Sequence, residues 1–406
     1  MTIFSVISLL GGLAMFLYGM EIMGDGLKNA SGPALKNVLS TATKNVTFGV
    51  ITGMLVTGVI QSSTATIVLA VGLISAGILS LKQAVGIVMG ANIGTTITAQ
   101  MIRLMDIDSS GSMLIQFFKP ATLAPLAMFI GILLIVFIKR PNSKTKGEIF
   151  MGFGILFSGI INMTAAVSPL SDSPAFAEIM ARFSDQPVLA ILVGLVLTVL
   201  VQSSSAMVGI LQALSATGAV TFELVYPMIM GINLGTCFVT LFICSIGSTK
   251  DAKRVGIVHI LFNTIGTIGF MIAMTVIRYM GAFPNLWESV VDSGAIADFQ
   301  TIFNLVTAVV LIPFAGKLVS ASYKLIKQGE VDEEPSNLKV PDEHLFEVPG
   351  VALSEATRGI AHMGEVTLKN LKRSYMLFED FDDDKITKIN EVEDEVDQYT
   401  DFMENF

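Results

Sequence analysis

Apolar residues run in long stretches through the first 327 positions and thin out after them. Seven stretches reach the length a bilayer-crossing helix needs: Ile3–Met23, Gln83–Met101, Ala121–Ile138, Phe150–Val167, Glu223–Ile246, Val255–Ile277 and Phe299–Gly316. That length is about 17–25 mostly apolar residues. Two further runs, Val46–Ser80 and Pro187–Thr221, are 35 residues each. One helix of that length would measure about 52 Å at about 1.5 Å per residue, against a hydrocarbon core of ~30 Å. A polar triplet sits near the middle of each run, Gln61-Ser62-Ser63 in one and Gln202-Ser203-Ser204 in the other. The pattern predicts two short helices meeting at each triplet and returning to the side they came from. Irregular backbone at membrane depth survives only where protein or a water-filled cavity satisfies it.

The two runs are copies of one another. A shift of 141 positions lays Gln61-Ser62-Ser63 on Gln202-Ser203-Ser204, and Gly90-x-Asn92-x-Gly94-Thr95 on Gly231-x-Asn233-x-Gly235-Thr236. Over positions 52–96, 13 of 45 residues are identical without a gap, where composition alone gives about four. A shift of 140 lays Gly12, Gly19 and Met23 on Gly152, Gly159 and Met163.

Charge orients the spans. Only 15% of the chain is charged and 52% is hydrophobic, whereas soluble domains carry about 25% charged residues. With the N-terminus outside, seven crossings and two returning hairpins, the inner loops hold 14 basic residues, Lys28, Lys36, Lys44 and Lys82 among them. The outer segments hold four: Arg103, Lys119, Arg182 and Arg278. This is the positive-inside asymmetry of a multi-pass protein of the cell membrane. The first helix of half one then runs inward and that of half two outward. The expected fold is an all-α integral membrane protein of two inverted repeats, each with a re-entrant helical hairpin, plus a cytoplasmic C-terminal helical segment. Repeats of that kind place a binding site at the midplane between them. The N-terminus lacks the basic region and cleavage site of a removable signal peptide. The expected boundaries are 1–147 and 148–327 for the repeats, 328–350 for a linker and 351–406 for the cytoplasmic helices.

The net charge of −9 comes from the tail: residues 328–406 carry −14 and the remainder +5. Such an acidic tail argues against nucleic acid as a partner. Cys237 and Cys244 share a helix face in one crossing and read as structural thiols rather than a metal or redox pair; no transition-metal site is expected. His259 reads as a structural histidine rather than a proton relay. No Gly-x-Ser-x-Gly elbow surrounds either triplet, so an enzyme with a serine nucleophile is not expected.

The chemistry of the triplets points to an anion. Each is followed by a helix, whose first N–H groups are unpaired and whose N-terminus carries partial positive charge. Ser62, Ser63, Thr64, Ser203, Ser204 and Ser205 add hydroxyl donors, and Gln61 and Gln202 add amides. The spans hold almost no Lys or Arg to neutralise a dianion, so cations that travel with it are expected. Sodium prefers oxygen ligands, and Thr66, Asn92, Thr95, Thr96, Asn233 and Thr236 supply more of them. This reasoning reaches cation-coupled transport of an oxyanion without naming either ion. It leaves open another oxyanion than phosphate, and a membrane sensor signalling through the C-terminal helices.

The doubled Gln-Ser-Ser, each followed by Gly-x-Asn-x-Gly-Thr, resembles the type II sodium–phosphate cotransporters and their bacterial relatives over roughly residues 10–325. His259-x-x-Phe262-Asn263 and Gln300-x-x-Phe303-Asn304 are similar to that family's His-x-x-Phe-Asn pattern, with Gln at the second. Thr64 replaces a frequent third Ser, and half one has Gln116-Phe-Phe-Lys119 where that pattern would fall. The resemblance implies a sodium-coupled phosphate symporter working by alternating access. Gln61–Thr64 and Gln202–Ser205 would line the phosphate and sodium sites, with Asn92, Thr95, Asn233 and Thr236 supporting them. No cofactor is implied beyond Na+ as coupling ion, and the partners are phosphate, sodium and the bilayer, with a homodimer left open. Residues 351–406 resemble part of the phosphate-uptake regulator PhoU, with Glu391–Asp397 like its acidic motif. A solvated acidic face is the plainer reading of that motif. The sequence ends where such a bundle would be only partly built, which suggests truncation or a partner that completes it.

Overall fold

The computed structural model describes residues 3–41, 45–75, 79–106, 116–245, 250–326, 349–377 and 383–405. They are helical almost throughout, with one isolated bridge, Thr221 to Val290, and no strand among them. The helices of half one are α1 (Ile3–Thr41), α2 (Val46–Ile60), α3 (Ser63–Ser75), α4 (Leu81–Ile102) and α5 (Pro120–Val136). Half two holds α6 (Ser143–Val167), α7 (Pro174–Asp185), α8 (Pro187–Val201), α9 (Ser204–Ser215), α10 (Phe222–Ile243), α11 (Lys250–Tyr279), α12 (Ser293–Leu311) and α13 (Ala315–Leu325). The tail forms α14 (Pro349–Met376) and α15 (Asp383–Asn405).

Six of the seven expected crossings are helices long and apolar enough to span a membrane. The remaining one is α5, a shorter apolar helix of 17 residues with Pro at its start and Pro125 inside. α7 and α8 form a pair bent by 107°. Large apolar side chains such as Phe4, Ile7, Phe129, Phe137, Leu200, Ile272 and Val309 stand exposed on the outer surface, as lipid-facing residues must.

Each overlong run is two helices, broken at its triplet. α2 ends on Gln61 at φ 60°, ψ 21°, and α8 ends on Gln202 at φ 58°, ψ 19°. Both lie in the left-handed region that non-glycine residues rarely enter. Gln61 N–H donates to the Thr57 carbonyl and Gln202 N–H to the Thr198 carbonyl, each at 2.7 Å. The chain then restarts as a helix two residues on, at Ser63 and at Ser204.

The sequence repeat is also a packing repeat. A Cβ on Gly90 would meet the Val50 carbonyl oxygen at 2.0 Å, and one on Gly231 the Ile191 carbonyl oxygen at 2.1 Å. The same shift of 141 relates all four residues. These glycines let α4 lie backbone to backbone on α2, and α10 on α8, so the broken helices are held by the spans that follow them. α1 and α6 show a second regularity. Gly12 lies against Gly159 and Met163, while Gly152 lies against Gly19 and Met23. Under the shift of 140, each contact of one helix maps onto a contact of the other.

The tail helices α14 and α15 pair around Val366 and Tyr399, and Asn370 Nδ2 donates to the Ile389 carbonyl at 3.0 Å. The expected linker, residues 328–350, lies outside the described residues except for its last two positions, where α14 begins. Lys44 and Lys327, two of the basic residues expected on the inner side, also lie outside them.

Gly90→Ala and Gly231→Ala should each lower detergent thermal stability by about 1–3 kcal/mol, the typical cost of overpacking. Gly269 of α11 has open space around its Cα, so Gly269→Ala should be neutral or stabilising. Equal melting temperatures for all three variants would show that the backbone contacts do not hold the breaks.

Candidate functional site

The two breaks meet at one cavity of about 400 Å³. Its wall contains all eight triplet-region residues that the sequence singles out: Gln61, Ser62, Ser63 and Thr64 from half one, and Gln202, Ser203, Ser204 and Ser205 from half two. Thr236 of α10 joins them. α3 and α9 therefore present their N-termini to a common space.

The first serine of each triplet caps its helix. Ser62 Oγ accepts from Ala65 N–H at 3.1 Å, and Ser203 Oγ accepts from Ala206 N–H at 3.2 Å. The next N–H groups bond back to the carbonyls of Ser62 and Ser203, from Thr66 and Met207 at 3.2 Å each. The N–H groups of Ser63, Thr64, Ser204 and Ser205 have no intrahelical acceptor, as the first turn of any helix requires. Ser63, Ser204 and Ser205 are buried at 8%, 7% and 9% exposure. Their hydroxyls have no hydrogen-bond partner among the described residues. Backbone and hydroxyl donors from both halves thus converge where helix polarity favours negative charge.

The glutamines differ. Gln61 is buried; its Nε2 donates to the Gly58 carbonyl and its Oε1 accepts from Thr98 Oγ1 at 2.8 Å. Gln202 is exposed to the cavity. The repeat is therefore symmetric in backbone and asymmetric in chemistry.

Sequence reasoning missed the third wall. Glu21, Asp25 and Lys28 of α1 line the same cavity, with Leu17 and Met20. Their spacing of i, i+4 and i+7 puts them on one helix face, and that spacing was the available signal. Gly24 lies against the Ile60 carbonyl, at the level of the break. Phe16, two turns earlier, belongs to the apolar cluster of Ile102, Ala206 and Ala213. On α1 the cavity wall thus runs from Leu17 to Lys28, on both sides of Gly24, and the apolar cluster around Phe16 bounds it at the Leu17 end. Two carboxylates beside unpaired hydroxyls give it cation-binding capacity as well.

The expected supporting residues divide. Thr236 reaches the cavity wall, though its Oγ1 donates to the Ile232 carbonyl at 3.1 Å. Thr66 receives a hydrogen bond from Thr57 Oγ1 at 2.9 Å and donates to the Ser62 carbonyl, which braces the break from behind. Thr95 and Thr96 donate to carbonyls of their own helix, those of Ala91 and Ile93. Asn92 and Asn233 are buried away from the cavity wall: Asn92 Nδ2 donates to the Val88 carbonyl at 2.8 Å, and Asn233 Nδ2 has no partner among the described residues.

The sequence model of the Na+/Pi-cotransporter family matches the chain twice, over residues 15–165 and 162–284, once in each half. The uncharacterized protein YqeW of Bacillus subtilis (strain 168) is 29% identical over 324 residues, which is 79% of this chain and 97% of that protein. The protein named putative inorganic phosphate export protein YjbB, of Salmonella typhimurium (strain LT2), is 25% identical over 89% of this chain. The chain spans 63% of that relative's length. Sodium-dependent phosphate transport protein 2B of Homo sapiens is 33% identical over 104 residues, 25% of this chain and 15% of that protein. No solved structure matches.

The difference between the glutamines predicts unequal stability effects. Gln61→Ala removes two buried hydrogen bonds and should cost about 1–3 kcal/mol. Gln202→Ala removes none and should stay within about 0.5 kcal/mol of the parent. Thermal unfolding in detergent measures both, and equal losses would contradict the assignment of the Gln61 side chain to the scaffold.

Proposed function

Because the chain belongs to the Na+/Pi-cotransporter family, we propose that it is a secondary transporter that carries inorganic phosphate, coupled to sodium, through the cavity between the two Gln-Ser-Ser breaks. The observation that carries this reading is the convergence of two serine-rich helix N-termini, one from each half, on a single cavity. A tetrahedral oxyanion needs donors from several directions. Ser63 and Thr64 supply them from one side, and Ser204 and Ser205 from the other. Sodium ions offset the charge of the dianion, because Lys28, the one basic side chain on the cavity wall among the described residues, shares that wall with Glu21 and Asp25. Glu21 and Asp25 add anionic oxygens on the cavity wall, to which a cation would bind.

Alternating access needs two halves related by inversion. The reciprocal contacts of α1 and α6 support such a relation: mutual contacts of equivalent residues mark a two-fold axis. Between antiparallel helices that axis lies across them, in the membrane plane when they span. The hairpins α2–α3 and α8–α9 would then enter from opposite sides and meet at the midplane. By the positive-inside rule the Lys28 end is cytoplasmic, so this conformation is open inward.

The opposite end is tied shut. Arg103 pairs with Asp298 at 2.6 Å, and Asp106 Oδ2 accepts from Gly294 N–H at 2.6 Å. Gln212 Nε2 of α9 reaches the Ala99 carbonyl at 3.1 Å and Ser293 at 3.0 Å. A second cavity of about 320 Å³, bounded by Ile160, Thr164, Gln212 and Ser293, lies beyond this tie. In the proposed cycle these contacts open as the Lys28 side closes.

The direction of net flux has a second reading. The Salmonella relative's name describes export, and a carrier runs either way as the gradients dictate. Liposomes with imposed gradients separate the readings. An inward sodium gradient should drive labelled phosphate into the vesicles, and replacing it with potassium or choline should abolish accumulation. Flux indifferent to sodium would sink the coupling claim; flux only out of the sodium-rich side's opposite compartment would favour export. Ser63→Ala and Ser204→Ala should each weaken phosphate affinity about 10–100-fold, the worth of a hydrogen bond to a charged group. Unchanged affinity in both would remove the breaks from the site.

A further inference from the structure

The triplet cavity suits an anion on one wall and opposes it on another. The helix starts offer donors, among them the unpartnered hydroxyls of Ser63, Ser204 and Ser205, each more than nine-tenths buried. α1 offers Glu21, Asp25 and Lys28, two acids and one base, a net charge of −1. None of these three has a hydrogen bond or ion pair among the described residues. Glu21 is bracketed by the contacts that α1 makes with the two hairpins. Before it, Phe16 lays its ring on Gly209 of α9, where a Cβ would come within 3.1 Å, and shares an apolar cluster with Ala206, next to Ser205. After it, Gly24 lies against the Ile60 carbonyl and Gln61 Cβ at the first break. Asp25 and Lys28 follow that contact. Glu21 is thus the carboxylate that α1 carries between its contacts with the two halves.

A carboxylate accepts hydrogen bonds and donates none. Beside a bound anion it repels, unless positive charge stands between the two. Either a sodium ion or a proton can stand there. A sodium ion would serve every oxyanion alike, whereas a proton must arrive on the anion. Near neutral pH phosphate and arsenate keep at least one hydroxyl, and sulfate keeps none. A phosphate hydroxyl can donate to the carboxylate while the other oxygens take the donors of the helix starts. Sulfate in the same place sets oxygen against oxygen with no hydrogen between them. Sites that hold a substrate hydroxyl by a polar group reject the analogue that lacks it, because that polar group is then left unpaired.

We propose that Glu21 is the specificity-determining residue of the cavity. Its carboxylate accepts a hydrogen bond from a hydroxyl of the bound oxyanion, and so admits phosphate and arsenate and rejects sulfate. The helix starts cannot make that choice, because N–H and hydroxyl donors serve any tetrahedral oxyanion. Asp25, on the other side of Gly24, remains available to a cation. The proposal rests on the reading of the cavity as a phosphate site and adds which oxyanions it accepts.

The test is equilibrium binding of labelled phosphate to the purified full chain in detergent with sodium chloride, competed by unlabelled phosphate, arsenate or sulfate. In the wild type arsenate should compete within about tenfold of phosphate, and sulfate at least about a hundredfold more weakly. Glu21→Gln keeps a carbonyl for the phosphate hydroxyl and adds an N–H donor for sulfate. It should narrow the preference for phosphate over sulfate about 10–100-fold, the worth of a hydrogen bond to a charged group. The change should come from tighter sulfate binding, a gain that misfolding cannot produce. Asp25→Asn should leave the preference as in the wild type. An unchanged preference in Glu21→Gln, as a role through sodium alone would give, overturns the proposal and leaves the phosphate reading standing. So does sulfate that competes as well as phosphate in the wild type. Loss of phosphate binding in Glu21→Gln without a gain for sulfate shows the carboxylate to serve binding rather than choice, and also overturns it. A wild type that binds no phosphate in sodium defeats the reading of the cavity itself.

Discussion

Inside hydrocarbon no water is available to pair a backbone N–H or C=O, and each such group must find its partner in the protein. The helix breaks at Gln61 and Gln202 are where this chain meets that constraint most sharply. Each break frees the N–H groups of a helix start, and each holds a glutamine in the left-handed region, at a cost of about 1–3 kcal/mol. Much of the surrounding structure bears on these two points. Capping by Ser62 and Ser203 uses one N–H of each start. The close approach of α4 at Gly90 and of α10 at Gly231 clamps the preceding helices. The remaining donors turn to a shared cavity, the one environment that can satisfy them.

The halves repeat that construction closely and then depart from it in chemistry. Backbone angles at the breaks agree within about 2°, and their caps and clamping glycines correspond one to one. Yet Gln61 is locked to Gly58 and Thr98 while Gln202 faces the cavity. Glu21, Asp25 and Lys28 line one cavity, and α6 places Ile160 and Thr164 at the other, beside Asp106 and Asp292. A duplicated scaffold thus supplies two equal helix ends, and differences between the copies give the two cavities different linings.

Much of this was legible in the sequence, for physical reasons. A 35-residue apolar run cannot be one straight crossing, so the breaks could be placed to the residue by the polar triplets. The repeat pointed to both copies serving one site. In the Gly-x-Asn-x-Gly-Thr motifs, Asn92, Thr95, Asn233 and Thr236 were expected to support the site, and the structure divides them: Thr236 reaches the cavity and Asn92 bonds Asn263 in the packed interior, while Gly90, Gly94, Gly231 and Gly235 make the close helix contacts. The role of α1 was not legible, because which face of an apolar helix meets a cavity depends on tertiary packing.

The central claim is that one phosphate ion is held jointly by the two halves, at the N-termini of α3 and α9. The most direct measurement is an experimental structure of the protein determined in saturating sodium phosphate. The account predicts tetrahedral density in the shared cavity, within hydrogen-bond distance of Ser63 or Thr64 on one side and of Ser204 or Ser205 on the other. Density held by one half alone, or a cavity that stays without phosphate under those conditions, would contradict it.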